Sequence, residues 1–183
     1  MIGRLRTWAR DTRGVAAIEF AFIVPILILL YFGMVEFCQG YMALKRTGHT
    51  ASMVADIVSR TNAITKQQAE DVLDIGDLII GPFPTTNLRQ RVASVTRVNA
   101  TTYQVDWSVG IGEGMTTKMT VADAKIPADL LAVGETTIVA EANYEYKSPF
   151  SNMLPKAVRV ATTFERIAYL RPRSVNFIPC ADC

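Results

Sequence analysis

The sequence predicts an α+β protein in which one long N-terminal transmembrane helix carries a small antiparallel β-sheet domain. Three observations predict this class. Residues 15–41 contain no Lys or Arg and only two carboxylates. Helical periodicity continues beyond them to about residue 60, and four extended segments follow. At 183 residues, the chain has room for one domain and an anchor.

The apolar segment 15–41 is long enough to cross a bilayer, which takes about 20 mostly apolar residues. Pro25 lies inside it, and because proline removes a backbone hydrogen bond we expect a kink there. The run is too long for the core of a secretory signal, and no cleavage site of the A-x-A kind follows it before Lys45. We therefore expect an anchor that is retained.

Basic residues on the two sides of this segment predict its orientation. Four arginines lie within residues 1–14, and only Lys45 and Arg46 follow closely on the other side. The positive-inside rule then places the N-terminus in the cytoplasm and the C-terminal domain outside it.

Glu19 is the unusual residue at the start of the anchor, because a carboxylate in a membrane helix costs a few kcal/mol unless it is paired or neutral. It lies five residues after Gly14, the last residue before the apolar run. Cleavage between Gly14 and Val15 would create an α-amino group with a pKa of about 8. Glu19 would then have a cation one turn away, in its own chain or in a neighbour. Alternatively, Glu19 reaches the headgroups with no partner.

The residues around Gly14 resemble those of a known family. Basic residues followed by Gly14 and the string VAAIEF at 15–20 resemble the processing site of prepilins and pseudopilins. The longer string RGVAAIEFA at 13–21, with VP and GMVEF downstream, resembles the TadE-like proteins of the Tad (Flp) pilus machinery. Elsewhere the likeness is loose and limited to residues 143–146 and 171–173.

This resemblance implies a pilin-like fold, cleavage by a prepilin peptidase between Gly14 and Val15, and a role in assembly of a Tad/Flp-type type IV pilus. Glu19 and Phe20 would be the assembly and recognition residues. The implied partners are the prepilin peptidase, other pilins or pseudopilins, the inner-membrane assembly platform and membrane lipid. The implied segments are a cleaved basic leader (1–14), the transmembrane helix (15–41), its continuation into the periplasm (42–60) and a periplasmic α+β domain (61–183).

Two other interpretations remain open at this point. One is a signal-anchored periplasmic binding module that keeps its leader and has no filament role. The other is a pseudopilin of type II secretion, which would share the processing and the helix. Nucleic acid is not an expected partner: the net charge of +2 comes from 19 basic and 17 acidic residues. Removing residues 1–14 takes away four Arg and one Asp, which leaves 15 and 16, about −1.

The remainder of the chain predicts a second helix and a meander of strands. A helix is expected at Thr65–Ile80, with Thr65 and Gln68 as a capping box. Its polar face carries four acids, which we interpret as a solvated face rather than a metal site. A short helix is expected from Ile126, where Pro127 falls in the first turn. Strands are expected at 91–98, 102–109, 136–146 and 157–169, in meander order.

The candidates for chemistry are few. His49 is the single histidine, and no nucleophile–base pair can be assembled, so we expect neither an enzyme nor a cofactor. Cys38 lies in the anchor and is expected to be inert. Cys180 and Cys183 form C-x-x-C, which outside the cytoplasm favours a local disulfide. A structural zinc site would need four ligands, and the neighbouring sequence supplies no others.

Overall fold

A computed structural model of the protein describes residues 14–150 and 161–183. The chain divides into two compact units, Met1–Gln39 and Gly40–Cys183. Helix α1 (Val15–Ser59) begins in the first unit and ends in the second. Residues 1–13 of the expected leader and residues 157–160 of the fourth expected strand lie outside the described residues.

Helix α1 continues to Ser59, as its periodicity predicts, and Pro25 lies within it. In the second unit, one stripe of the helix is buried against the domain. The stripe is made of small and β-branched side chains: Ala43, Thr47, Thr50, Ala51, Val54, Ala55, Val58 and Ser59. Leu44, which the spacing places on this face, is only half-buried.

Helix α2 (Lys66–Ile80) begins at the capping box that the sequence predicts. The Thr65 hydroxyl accepts a hydrogen bond from the backbone N–H of Gln68 at 3.2 Å, and the Gln68 Oε1 accepts one from the backbone N–H of Thr65 at 3.0 Å. These bonds satisfy two backbone donors that the first turn would otherwise leave unpaired. Leu73, Gly76 and Ile80 then face the core.

The sheet has four antiparallel strands: β1 (Leu88–Arg97), β2 (Tyr103–Ile111), β3 (Thr136–Lys147) and β4 (Ala161–Leu170). Their spatial order is β2-β1-β3-β4, so the expected meander order is wrong. The cause is the long connection from β2 to β3. Its residues Met119 and Ala124 pack against Ala93 and Val139 on one face of the sheet, so β3 joins the free edge of β1.

The expected short helix at Ile126 is also displaced. Helix α3 covers Val121–Ala124, and its capping box joins Thr120 and Asp123. Hydrogen bonds from the backbone N–H and the hydroxyl of Thr120 hold the pKa of Asp123 below its usual value. Lys125 has a left-handed conformation with φ of 45°, which ends the helix before Ile126.

A β-bulge divides the side chains of β2 between the two faces of the sheet. Ser94 pairs with Trp107 and Val95 pairs with Val105, which leaves Asp106 as the extra residue. Trp107 therefore packs in the core beneath the helices, while Val105 packs on the opposite face. The alternation of Val105 and Trp107 with polar residues predicts that both are buried on one face, and the bulge makes this prediction wrong.

The C-terminal segment after β4 is part of the core. Ile178 is fully buried, and its carbonyl oxygen accepts a hydrogen bond of 2.7 Å from the indole N–H of Trp107. The backbone N–H of Ile64 donates to the carbonyl oxygen of Pro179 at 3.0 Å, and that of Arg173 donates to Ser59 at 2.8 Å. The tail thus joins the end of α1 to the sheet.

Candidate membrane anchor and assembly segment

The first part of α1 exposes a continuous apolar surface. Most of its large side chains are exposed, among them Ile18, Phe20, Phe22, Ile26, Leu29, Leu30 and Phe37. Soluble monomers rarely expose an apolar patch of this extent. Within residues 14–150 and 161–183, α1 is the one helix long and apolar enough to cross a membrane. The segment is therefore suited to a lipid environment.

The two residues expected at the processing site lie where α1 begins. Gly14 is exposed and Val15 is the first helical residue. Among the described residues, a Cβ atom added at Gly14 would meet no heavy atom within 4 Å. A loss of cleavage in a variant with a side chain at position 14 would therefore report recognition by the peptidase rather than a clash of its Cβ with those residues.

Glu19 and Phe20 lie one helical turn beyond this site. Phe20 is 66% exposed, and Glu19 is exposed as well. In the described part of the chain, no Lys or Arg forms an ion pair with Glu19. Val15 and Glu19 are spaced i,i+4, which places them on one face of the helix. An ammonium group at Val15 would therefore lie near the Glu19 carboxylate.

Glycines farther along the helix have different surroundings. A Cβ at Gly33 would meet nothing within 4 Å, whereas one at Gly40 would lie 3.8 Å from the ring of Tyr146. A Cβ at Gly48 would lie 3.7 Å from Cγ of Arg166. Gly40 and Gly48 therefore give two side chains of the sheet close access to the helix, while Gly33 leaves an open surface.

Residues 14–56 match the family model described as TadE-like protein. The resemblance that the sequence motif indicates is thereby confirmed over the anchor and most of its helical continuation. The matched segment includes Gly14, Val15, Glu19 and Phe20, and it ends before α2 and the sheet. No curated protein matches the chain. No solved structure matches it either.

The acidic face of α2 does not assemble ligands. Partial burial, together with the nearby Asp74, raises the pKa of Asp77. Among the described residues, the carboxylates of α2 do not form a group of three close enough to share a metal ion. Their spacing along one helix spreads them along its surface.

The C-terminal cysteines are close to a third potential ligand. The Sγ atoms of Cys180 and Cys183 and a carboxylate oxygen of Asp182 lie within 4.8 Å of one another. The two cysteines are joined by a disulfide, with their Cα atoms 5.7 Å apart. Since disulfide sulfurs are not thiolates, this arrangement gives a covalent loop rather than a ligand set.

One basic cluster could not be found from the sequence. Lys45 and His49 are one turn apart on α1, and the structure places Arg166 of β4 beside them. The i,i+4 spacing of the first two is visible in the sequence. Arg166 is far from both along the chain and comes close to them only because β4 pairs with β3.

Proposed function

We propose that this protein is a membrane-anchored subunit that acts in assembly of a Tad/Flp-type pilus, as an initiating or priming component. The observation that carries the proposal is the match at residues 14–56, which coincides with the exposed apolar part of α1 and contains Glu19. Such a subunit works through contacts between helices rather than through catalysis.

In this proposal a prepilin peptidase cuts between Gly14 and Val15. The new α-amino group would be largely protonated near neutral pH. It would supply the cation that Glu19 lacks in the described part of the chain. The mature N-terminus would face the cytoplasmic side of the bacterial inner membrane, and the α+β domain would lie in the periplasm.

The Glu19 carboxylate can pair with a Val15 ammonium in two ways, one within a chain and one between chains. Within one chain the pair spans a single turn and forms without a neighbour. Between two chains it fixes the axial register of adjacent anchors, because an unpaired carboxylate in the membrane costs about 2.5–3.5 kcal/mol. We propose the second arrangement with other pilins or pseudopilins held at the inner-membrane platform.

Co-purification of tagged pilin-like partners with wild type, Glu19→Gln and Glu36→Gln tests this role. Glu36 is the matched control, since it lies about 26 Å farther along the helix than Glu19, near the outer end of the apolar segment. We expect Glu19→Gln to keep cleavage and insertion but recover less partner, and Glu36→Gln to recover as much as wild type. Equal recovery with Glu19→Gln, or a larger loss with Glu36→Gln, would contradict the register role.

A further inference from the structure

An open groove in the second unit brings three basic side chains together. It has a volume of about 540 Å³, within the range of ligand pockets. Its lining consists of Tyr41, Leu44, Lys45, Gly48, His49, Ser52 and Arg166. The side chains of Lys45, His49 and Arg166 are exposed to solvent. Gly48 lines the groove next to Arg166, since a Cβ at position 48 would lie 3.7 Å from the Arg166 side chain.

The positive charge of the groove is not neutralised within the described residues. There, neither Lys45 nor Arg166 forms an ion pair with a carboxylate. Glu165, the neighbour of Arg166 in sequence, is paired with Lys125 instead. An exposed pair of cations that share no carboxylate attracts an external anion. The groove is therefore complementary to a negatively charged ligand.

The position of the groove along α1 indicates the source of that anion. Tyr41 is the last residue of the run without Lys or Arg, and Lys45 and His49 follow within about 12 Å of helix rise. Tyrosine and basic side chains at the end of a membrane helix commonly lie at headgroup level. Lys45 Nζ lies 5.5 Å from the centre of the Tyr41 ring, which keeps the ammonium near the end of the apolar run.

We propose that this groove binds the phosphate group of an anionic phospholipid in the bilayer that holds the anchor. The Arg166 guanidinium offers paired donors to phosphate oxygens, and the Lys45 ammonium offers a point charge. Tyr41 and Leu44 contact the less polar part of the lipid. A bound lipid bridges α1 and β4. The proposal rests on the anchoring of α1 in a bilayer and is independent of pilus assembly.

The test is native mass spectrometry of the full chain in neutral detergent, with equal amounts of phosphatidylglycerol and phosphatidylcholine. Wild type is expected to retain phosphatidylglycerol preferentially. In Lys45→Gln/Arg166→Gln that retention should fall by about tenfold or more. Each basic residue near an anionic membrane contributes about fivefold to the affinity, and the two contributions multiply. Lys66→Gln/Lys118→Gln is the matched control. It removes the same charge from another groove and should behave like wild type.

A second variant tests the shape of the groove without changing its charge. Gly48→Leu keeps every cation but places a large side chain in the groove, and the nearest atoms leave room for its Cβ. It should also lose phosphatidylglycerol while unfolding at the temperature of wild type. If the double variant does not fold, this variant decides the question.

Three outcomes would overturn the proposal. The first is equal retention of both lipids by wild type. The second is an equal loss in the Lys66→Gln/Lys118→Gln control. The third is complete displacement of the lipid by an equal concentration of inorganic phosphate, which would make the groove a general phosphate site. Partner recovery by the Glu19 variant is measured separately, so failure of one proposal does not imply failure of the other.

Discussion

Arg91 and Glu141 form a buried ion pair directly across β1 and β3. Arg91 Nη2 lies 2.7 Å from Glu141 Oε2, and the two side chains are only 5% and 6% exposed. Arg91 Nε donates a second hydrogen bond to the same oxygen at 3.2 Å. Asn143 Nδ2 donates to the other carboxylate oxygen at 3.0 Å. The pair therefore joins the two central strands through a connected polar network.

Removal of one partner should destabilise the domain strongly. Glu141→Leu removes the nearest counter-charge of the buried Arg91 guanidinium and leaves it only the more distant, half-exposed Asp123 at 3.6 Å. The loss should approach the cost of breaking a buried ion pair, about 3–5 kcal/mol. The double variant Arg91→Met/Glu141→Leu should recover much of this loss, because no buried charge is left unpaired. Chemical unfolding of the full chain in detergent measures both.

The exposed pair between Lys125 and Glu165 provides the control. Glu165→Gln should change the unfolding midpoint far less than Glu141→Leu. Similar losses of stability in Glu141→Leu and Glu165→Gln would contradict this prediction. So would a double variant that is no more stable than Glu141→Leu, because the loss would then not come from an unpaired buried charge.

Gly76 allows α2 to lie against the side chain of Gln90. A Cβ at position 76 would lie 2.0 Å from Gln90 Oε1 and 2.6 Å from Cδ. Gln90 cannot easily move, since it is 1% exposed and its Nε2 donates to the carbonyl oxygen of Leu73 at 3.0 Å. We expect Gly76→Ala to lower the free energy of unfolding by about 1–3 kcal/mol, despite the better helix propensity of alanine.

Gly48→Ala is the matched helical control for this substitution, because its nearest contact would be an ordinary 3.7 Å. It should be neutral or slightly stabilising when both variants and wild type are compared by thermal unfolding of the full chain in detergent. A Gly76→Ala protein as stable as Gly48→Ala would mean that Gln90 relaxes without loss.

Local signals in the sequence predicted α1, α2 and the strands, but neither the position of α3 nor the order of the strands in the sheet. The capping box at Thr65 and the period of α1 depend on neighbouring residues, so they can be recognised directly. The partner of β3 depends on the path of residues 112–135, and that path depends on tertiary packing. The extra residue of the bulge, Asp106, reverses the face of Val105, and no pattern in β2 indicates it. The Asp106 carboxylate accepts hydrogen bonds from the hydroxyls of Ser94 and Thr96 on β1.

Of the two candidate sites, one could be recognised from the sequence and the other could not. The motif around Gly14 and Glu19 is contiguous, so the sequence alone located it. The basic groove needs Arg166 beside Lys45, and this proximity arises only when β4 pairs with β3.

The state of the C-terminal cysteines can be tested with an internal control. If the disulfide between Cys180 and Cys183 forms in the exported protein, alkylation of the unreduced full chain in detergent should label only Cys38, which is free and exposed. After reduction, all three cysteines should be labelled. Immediate labelling at three positions would show that the tail is reduced.

Orientation can be tested with a reporter enzyme that is active only outside the cytoplasm. Fused after Cys183, it should be active, because the four arginines within residues 1–14 favour a cytoplasmic N-terminus by the positive-inside rule. The same reporter fused to the N-terminus is the control and should be inactive. A stable but inactive C-terminal fusion would reverse the orientation.

Intact mass of the membrane-extracted chain tests the proposed cleavage between Gly14 and Val15. After co-expression with a prepilin peptidase, the mass should correspond to a chain that begins at Val15. Gly14→Asp should keep the full-length mass, since it places a charged side chain at the cleavage site, where a Cβ meets no heavy atom of the described residues within 4 Å. A wild-type chain that retains residues 1–14 in the presence of an active peptidase would contradict the proposed cleavage and, with it, the proposed role as a pilin-like subunit.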